Sequence, residues 1–259
     1  MKEFEVSMAR NRNPCCEAAF NRLELVVVMA TLVLLAGLAL PTLGNTKTRS
    51  QRITCVANLR QIGHALHVWG NDHGDKTPSR TDYREGGLYL SPNPLRNLAY
   101  FQFSVISNEL VTPKTLVCPA DLNVGFSRRV ASNWSTFDNV AGYMALGLRD
   151  RSTSYTVALD AFFDQPRSIL SSDRNLRTSG VNTSCSSGVG SANFFVLDPP
   201  SPGVGWTNAM HFQSGNTLFY DGQVEQLSVP GFSNALNGPY FNGLNFGSDN
   251  AILHFLMPN

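Results

Sequence analysis

Residues 18–43 read AAFNRLELVVVMATLVLLAGLALPTL, and one acid, Glu24, stands at the start of an otherwise uncharged apolar run. As an α-helix with a rise of 1.5 Å per residue, residues 23–43 would measure about 31 Å. That length matches the roughly 30 Å hydrocarbon core of a bilayer. The stretch therefore predicts a transmembrane helix over residues 20–43. A carboxylate at that depth must either lie at the membrane edge or have a partner.

Residues 1–19 form a polar leader that contains Lys2, Arg10 and Arg12, which favours a cytoplasmic amino terminus. Three interpretations of the segment are open. A secretory signal peptide needs a small-x-small cleavage site after its apolar region, whereas this run ends in LPTLGN. A plain single-pass anchor accounts for the length but not for the acid. In the third interpretation the leader is removed before the apolar run, after Ala19.

The sequence AFNRLELVVVMATLVLLAGLALP resembles the amino-terminal signature of type IV prepilins and type II secretion pseudopilins. In that family a cleaved leader precedes a Phe, a Glu follows in the first turns, and a Pro lies in the second half of the apolar helix. The resemblance implies that a prepilin peptidase cleaves after Ala19 and that Phe20 becomes the methylated amino terminus. It also implies that Glu24 acts in filament assembly and that Pro41 bends the helix.

The resemblance also suggests a partner for the acid. A carboxylate that leaves water favours its neutral form unless an opposite charge lies close. In a filament, the freed amine of Phe20 in a neighbouring subunit would supply that charge, and the pair would set the axial register. The alternative is that Glu24 and Arg22 extend to the headgroup level of a bilayer.

Beyond Pro41, apolar residues recur at intervals of three or four, as on one face of a helix. This stripe consists of Ile53, Val56, Leu59, Ile62, Leu66 and Trp69. Glycine, asparagine and proline in residues 70–78 end the pattern. We therefore predict that residues 44–71 continue the helix and pack on a globular head. His64 and His67 lie on this helix without a third ligand residue nearby in sequence, so we predict no metal there.

The composition narrows the functional classes. A formal net charge of +1 lacks the basic footprint of a nucleic-acid-binding protein, so we expect no nucleic-acid partner. The five cysteines contain no CxxC pair and no zinc-ribbon spacing, which argues against a structural metal site. If the leader is removed, three cysteines remain, at positions 55, 118 and 185. At most one internal disulfide can then form.

Residues 72–259 are rich in Gly, Pro, Ser and Asn, with short apolar bursts such as LVTPKTLVCP, SYTVALDAFF and NTLFYDGQVEQL. Such bursts favour β-strands. The strongest hairpin signal is Asp221-Gly222, which suits a two-residue turn. Residues 208–212 predict a preceding strand and thus a three-stranded meander. The predicted fold class is α+β: a long amino-terminal helix, half transmembrane and half amphipathic, on an antiparallel β-rich head, as in a pilin-like lollipop.

Scattered motifs resemble a subgroup of pseudopilin-like proteins. The helix carries Cys-x-x-Asn-Leu-Arg-Gln-Ile-Gly from Cys55. The head carries Cys-Pro-x-Asp from Cys118, Asp-Arg-Asn at 173–175, and a His, nine residues, Asp-Gly element formed by His211, Asp221 and Gly222. The roles of these motif residues are unknown. Two states are open for Cys55 and Cys118: a disulfide that ties the helix to the head, or two buried thiols.

His211, Asp221 and Ser214 lie close enough in sequence to suggest a hydrolase triad. No GxSxG elbow supports a hydrolase, so we expect no enzyme, and a His that binds Asp221 to fix a turn is the preferred interpretation. Calcium could use loop acids at Asp72, Asp75 or Asp121. No EF-hand spacing is present, so no ligand is assigned and no cofactor is expected.

The sequence as a whole predicts a pseudopilin subunit assembled into a periplasmic filament of a type II secretion or type IV pilus-like system. Its expected partners are the prepilin peptidase, other pseudopilins and the assembly platform of the inner membrane, in a homo- or hetero-filament. The expected location is the bacterial inner membrane, single-pass, with a cytoplasmic amino terminus and a periplasmic head. The alternative is a membrane-anchored solute-binding or surface-recognition domain that does not polymerise.

Overall fold

A computed structural model describes residues 21–123, 128–138, 148–161, 167–177, 194–197, 204–236 and 253–257. The predicted processing site, Ala19 and Phe20, lies outside the described residues, as does Cys185. The chain divides into two compact units, Met1–Lys47 and Thr48–Asn259.

The first helix, α1, runs from Arg22 to Asp72. Its start is a capping box, in which the side chain of Asn21 accepts from the Leu23 amide at 3.3 Å and the Glu24 carboxylate accepts from the Asn21 amide at 3.1 Å. Pro41 lies within the bounds of this helix. The helix ends where Gly74 and Asp75 adopt positive φ, next to the predicted end at residue 71.

The prediction of a membrane-spanning first half is wrong. Among the residues that the structure describes, no helix is both long enough and apolar enough to cross a membrane. The predicted segment included Glu24, Pro41 and Thr42, and the uncharged run before Pro41, residues 25–40, is shorter. At 1.5 Å per residue that run measures about 24 Å, less than the roughly 30 Å of a hydrocarbon core. The expected location as a single-pass inner-membrane protein is overturned by the same finding.

The remaining helices are short. They are α2 (Ala99–Val105), α3 (Ser107–Leu110), α4 (Trp134–Phe137) and α5 (Val229–Leu236), with 3-10 turns at Tyr83–Glu85, Pro94–Asn97, Pro113–Leu116, Asp121–Asn123 and Arg149–Ser152. Two of these turns begin with a side-chain cap followed by Pro, at Asn93-Pro94 and Thr112-Pro113. The chain after α1 is therefore a mixed α/β structure, and this corrects the predicted α+β lollipop with a simply β-rich head.

The strands form two sheets. They are β1 (Tyr155–Ala158), β2 (Ile169–Asp173), β3 (Leu176–Arg177), β4 (Phe194–Leu197), β5 (Gly205–Trp206), β6 (Ser214–Phe219), β7 (Val224–Ser228) and β8 (Leu253–Leu256). The main sheet has the order β4-β8-β1-β2-β6-β7, and every neighbouring pair is antiparallel. Strands β3 and β5 pair separately.

Side chains alternate between the two faces of the main sheet, as the two-residue period of a strand requires. One face packs on α1 and α2 and contributes Tyr155, Val157, Leu170, Leu218 and Leu256. The other face packs on β3, β5 and α5 and contributes Ala158, Ile169, Phe219 and Phe255. Both faces of the central strands β1, β2 and β6 are therefore buried in hydrophobic core.

The buried stripe of α1 differs in part from the predicted one. Leu59, Ile62, Leu66 and Trp69 are buried as predicted, whereas Ile53 is 62% exposed. The buried face continues instead through Cys55 and Asn58. Gly63 marks the closest approach to the sheet, since a Cβ there would lie 2.9 Å from Leu218 Cδ1.

Candidate functional site

The centre of the candidate site is a disulfide between Cys55 and Cys118, 63 residues apart in the chain. Cys55 lies on the buried face of α1, and Cys118 follows the 3-10 turn Pro113–Leu116. Both residues are fully buried, and their Cα atoms are 5.1 Å apart. Of the two states left open by the sequence, the structure contains the disulfide.

His211 packs against this disulfide. It lies in the loop before β6, is 1% exposed, and its Nε2 is 3.6 Å from the Sγ of Cys118. The next two residues, Phe212 and Gln213, adopt positive φ and form a tight turn. Arg52 of α1 holds the same loop, because its guanidinium donates to the His211 carbonyl at 3.0 Å. The predicted strand at residues 208–212, and with it the meander, is therefore absent.

Asp173, at the end of β2, is the acid closest to the imidazole: its Oδ2 lies 3.5 Å from His211 Nε2. The same oxygen accepts from the backbone amide of Asn216 at 2.7 Å and from its side chain at 2.9 Å. Among the described residues, Asp173 Oδ1 and His211 Nδ1 are buried without a hydrogen-bond partner.

Burial controls the protonation of this pair. Desolvation raises the pKa of Asp173 to about 7, although the hydrogen bonds from Asn216 oppose the shift. Desolvation lowers the pKa of His211 to about 4, and the charge of Arg52 acts in the same direction. Near pH 6 the buried pair is therefore a neutral imidazole beside a neutral carboxyl group.

A second buried acid, Asp121, anchors an adjacent ion-pair group. Both its oxygens accept from Arg174, at 2.6 and 2.7 Å, and it also accepts from the Ser154 hydroxyl at 2.7 Å. Arg128 approaches it at 3.5 Å, with its side chain 2% exposed. Burial lowers the pKa of Arg128 to about 10. Since the guanidiniums of Arg174 and Arg128 already pair with Asp121, its carboxylate is not free to bind calcium.

Amides complete the cluster. Asn58 of α1 donates to the Val117 carbonyl at 3.0 Å and to the Tyr155 hydroxyl at 3.2 Å. Asn175 donates to the carbonyls of Thr207 and Ser214, at 3.3 and 3.1 Å. Motif residues from α1, the Cys-Pro-x-Asp loop, the Asp-Arg-Asn strand end and the His211 loop therefore meet around one disulfide.

Asp221 and Gly222 do not join this cluster. They lie in the exposed hairpin turn between β6 and β7, where the Asp221 carboxylate accepts from the Gln223 amide at 2.9 Å and Gly222 has φ +80°. The hairpin was predicted, but Phe219 and Gln223 bond across three intervening residues where a two-residue turn was expected. The six residues of β6 span roughly 20 Å between His211 and this turn.

A hydrolase triad is not assembled. The Ser214 hydroxyl donates to the carbonyl of His211, not to its imidazole. The acid beside His211 is Asp173, which corrects the predicted pairing with Asp221.

The other predicted positions lie elsewhere. Glu24 is exposed and caps α1, and His64 is exposed on the same helix. His67 bonds the Tyr220 carbonyl at 2.6 Å. Arg52, Arg128, Ser154 and Asn216 belong to the cluster and were not identified from the sequence, because none of them is a defining residue of the sequence motifs.

No protein-family model, curated protein or solved structure gives a significant match to this chain.

Proposed function

We propose that this protein is a prepilin-like subunit, cut by a prepilin peptidase and assembled through α1 into a filament of a type II secretion or type IV pilus-like system. The single observation that carries the proposal is the uncovered apolar surface at the start of α1. Ten large apolar side chains between Leu23 and Leu35 are 45–70% exposed. A helix that is apolar on all sides is stable in water only when other molecules surround it.

In a filament, copies of the same helix would cover this apolar surface.

The start of α1 also bears on the role of Glu24. In one isolated chain its carboxylate caps the Asn21 amide. In a helix bundle, the carboxylate would lose water and would need a cation, for which the amine of a neighbour's Phe20 is suitable. The prepilin-like signature at residues 19–41 supports this assignment.

The head would then have a structural role. Its disulfide ties Cys55 of α1 to Cys118, and Asn58 of the same helix donates to the Val117 carbonyl and to the hydroxyl of Tyr155 in β1. A solute-binding role gains no support from the enclosed cavity beside α1, lined by Leu66, Phe103 and Leu170, whose volume is about 10 Å³. That volume is about the minimum for a single water molecule.

Site-specific photo-cross-linking tests the proposal. A photoreactive residue at Val33, which is 70% exposed, should cross-link chains of the same protein in its native host. Glu24→Gln keeps a hydrogen-bond acceptor for the cap but removes the charge, and it should abolish the multimers. Asn21→Ala removes the cap and keeps the charge, at a cost of about 1 kcal/mol to the helix, and the multimers should persist.

If wild type yields only single chains, or if Glu24→Gln assembles as wild type does, the filament assignment is wrong. A recognition domain that does not polymerise would give the first of these results.

A further inference from the structure

Three atoms that commonly bind metals meet in the buried cluster. The sulfurs of Cys55 and Cys118 and a nitrogen of His211 lie within 4.8 Å of one another, and all three residues are buried. The distance from His211 Nε2 to the Cys118 sulfur is 3.6 Å. In a tetrahedral zinc site, with Zn–S of about 2.3 Å and Zn–N of about 2.0 Å, a sulfur and a nitrogen ligand are about 3.5 Å apart.

We propose that in the dithiol form of the protein Cys55, Cys118 and His211 bind a zinc-class metal ion, and that the disulfide excludes the ion. The two states are mutually exclusive because they use the same sulfurs: a metal needs two thiolates, and a disulfide has none. Once the sulfurs are no longer bonded, they can separate to the roughly 3.7 Å that two thiolates on one tetrahedral ion require.

Charge and hydrogen bonding fit this ligand set. Two thiolates balance the double charge of the ion, which lowers the cost of burying it. His211 is 1% exposed, and its Nδ1 has no hydrogen-bond partner among the described residues. Nε2 faces the Cys118 sulfur at 3.6 Å, so it is the ring nitrogen placed to bind the ion.

A fourth donor lies beside these three. Asp173 Oδ2 is 3.5 Å from His211 Nε2, and Asp173 Oδ1 is buried without a partner. A zinc ion with three protein ligands keeps one position for a water or a carboxylate, and Asp173 is the acid placed next to that position. The ligands come from residues 55, 118 and 211, so no short spacing motif could reveal the site.

Cobalt spectroscopy tests the proposal on the full chain, kept in mild detergent because of its exposed apolar helix. The protein is unfolded and reduced with a water-soluble phosphine. Each disulfide gains two electrons and two protons, and the phosphine is oxidised by taking an oxygen atom from water. After the reductant is removed without air, the protein is refolded with Co²⁺. We expect a thiolate-to-cobalt charge-transfer band at about one ion per chain, bleached by Zn²⁺.

Matched variants assign the ligands. Cys55→Ser with Cys118→Ser lacks the cross-link, as the reduced wild type does, and should lose the band. His211→Gln should weaken Co²⁺ binding by at least about 10-fold. His64→Ala removes an exposed histidine of the same helix and should bind as wild type does. Circular dichroism of each refolded sample checks its fold.

Three results would overturn the proposal. They are absence of the band in the reduced wild type, an equal band in the oxidised protein, and unchanged cobalt affinity in His211→Gln or the double serine variant.

Discussion

The Nε2 of His211 lies 3.5 Å from the Oδ2 of Asp173, and both side chains are buried. The two groups shift in opposite directions from their ordinary pKa values of 6.5 and 3.8, to about 4 and about 7. Between pH 4 and 6.5, of these two groups, His211 therefore carries the proton in the unfolded chain and Asp173 carries it in the folded chain. The proton counts are equal, so the pair contributes almost no pH dependence to the free energy of unfolding in that range.

Single substitutions should reveal the opposite effects of His211 and Asp173 on the pH dependence of the free energy of unfolding. In Asp173→Asn only His211 remains, and the unfolded state binds more protons, so stability should rise from pH 4 to 6.5. In His211→Gln only Asp173 remains, and the folded state binds more protons, so stability should fall from pH 4 to 7. Each slope can reach about 1.4 kcal/mol per pH unit. Urea unfolding across this range measures both slopes relative to that of wild type, and two differences of the same sign would contradict the assignment.

Loss of the disulfide should destabilise the head. Cys55 and Cys118 close a loop of 63 residues, for which chain entropy predicts a loss of about 4 kcal/mol in the double serine variant. Urea unfolding of wild type and variant measures the difference. Wild type in excess dithiol reductant is the matched control and should unfold near the variant's midpoint. A variant as stable as oxidised wild type would mean that the cross-link does not constrain the unfolded chain.

The buried acid Asp121 should matter more than an exposed one. Asp121→Asn leaves the guanidiniums of Arg128 and Arg174 without their countercharge, and we expect a loss of about 3–5 kcal/mol. Glu225→Gln is the control, since Glu225 pairs with Arg167 where both side chains are about one-third exposed. That change should cost at most about 1 kcal/mol. Thermal or urea unfolding measures both losses of stability. Equal losses in the two variants would show that burial does not make the Asp121 ion pairs more important than the Glu225 pair.

A methyl group at Gly63 should be unfavourable despite better helix propensity. Its Cβ would lie 2.9 Å from Leu218 Cδ1 in the core, and such crowding costs about 1–3 kcal/mol, against a propensity gain of about 1 kcal/mol. Gly37→Ala, on the same helix with no atom within 4 Å, should leave stability unchanged or slightly higher. If Gly63→Ala unfolds at a higher urea concentration than wild type, α1 can move away from β6 at no cost.

The sequence pattern predicted local features better than long-range ones. The end of α1, most of its buried stripe and the hairpin at Asp221-Gly222 follow from helical spacing and turn chemistry, which are local. The partner of His211 could not be predicted, because the contact with Asp173 depends on the adjacency of β2 and β6 in the sheet. The pattern around Thr112-Pro113 predicts a strand, since its apolar residues lie in a short burst without helical period, whereas the structure has a 3-10 turn there.

Intact-mass analysis with amino-terminal sequencing of the protein from its native host decides whether this chain is a processed prepilin-like subunit. We expect a mature chain that begins at Phe20 and carries a methyl group on its amino terminus. A chain that still begins at Met1, or one cut after the apolar run, would contradict it.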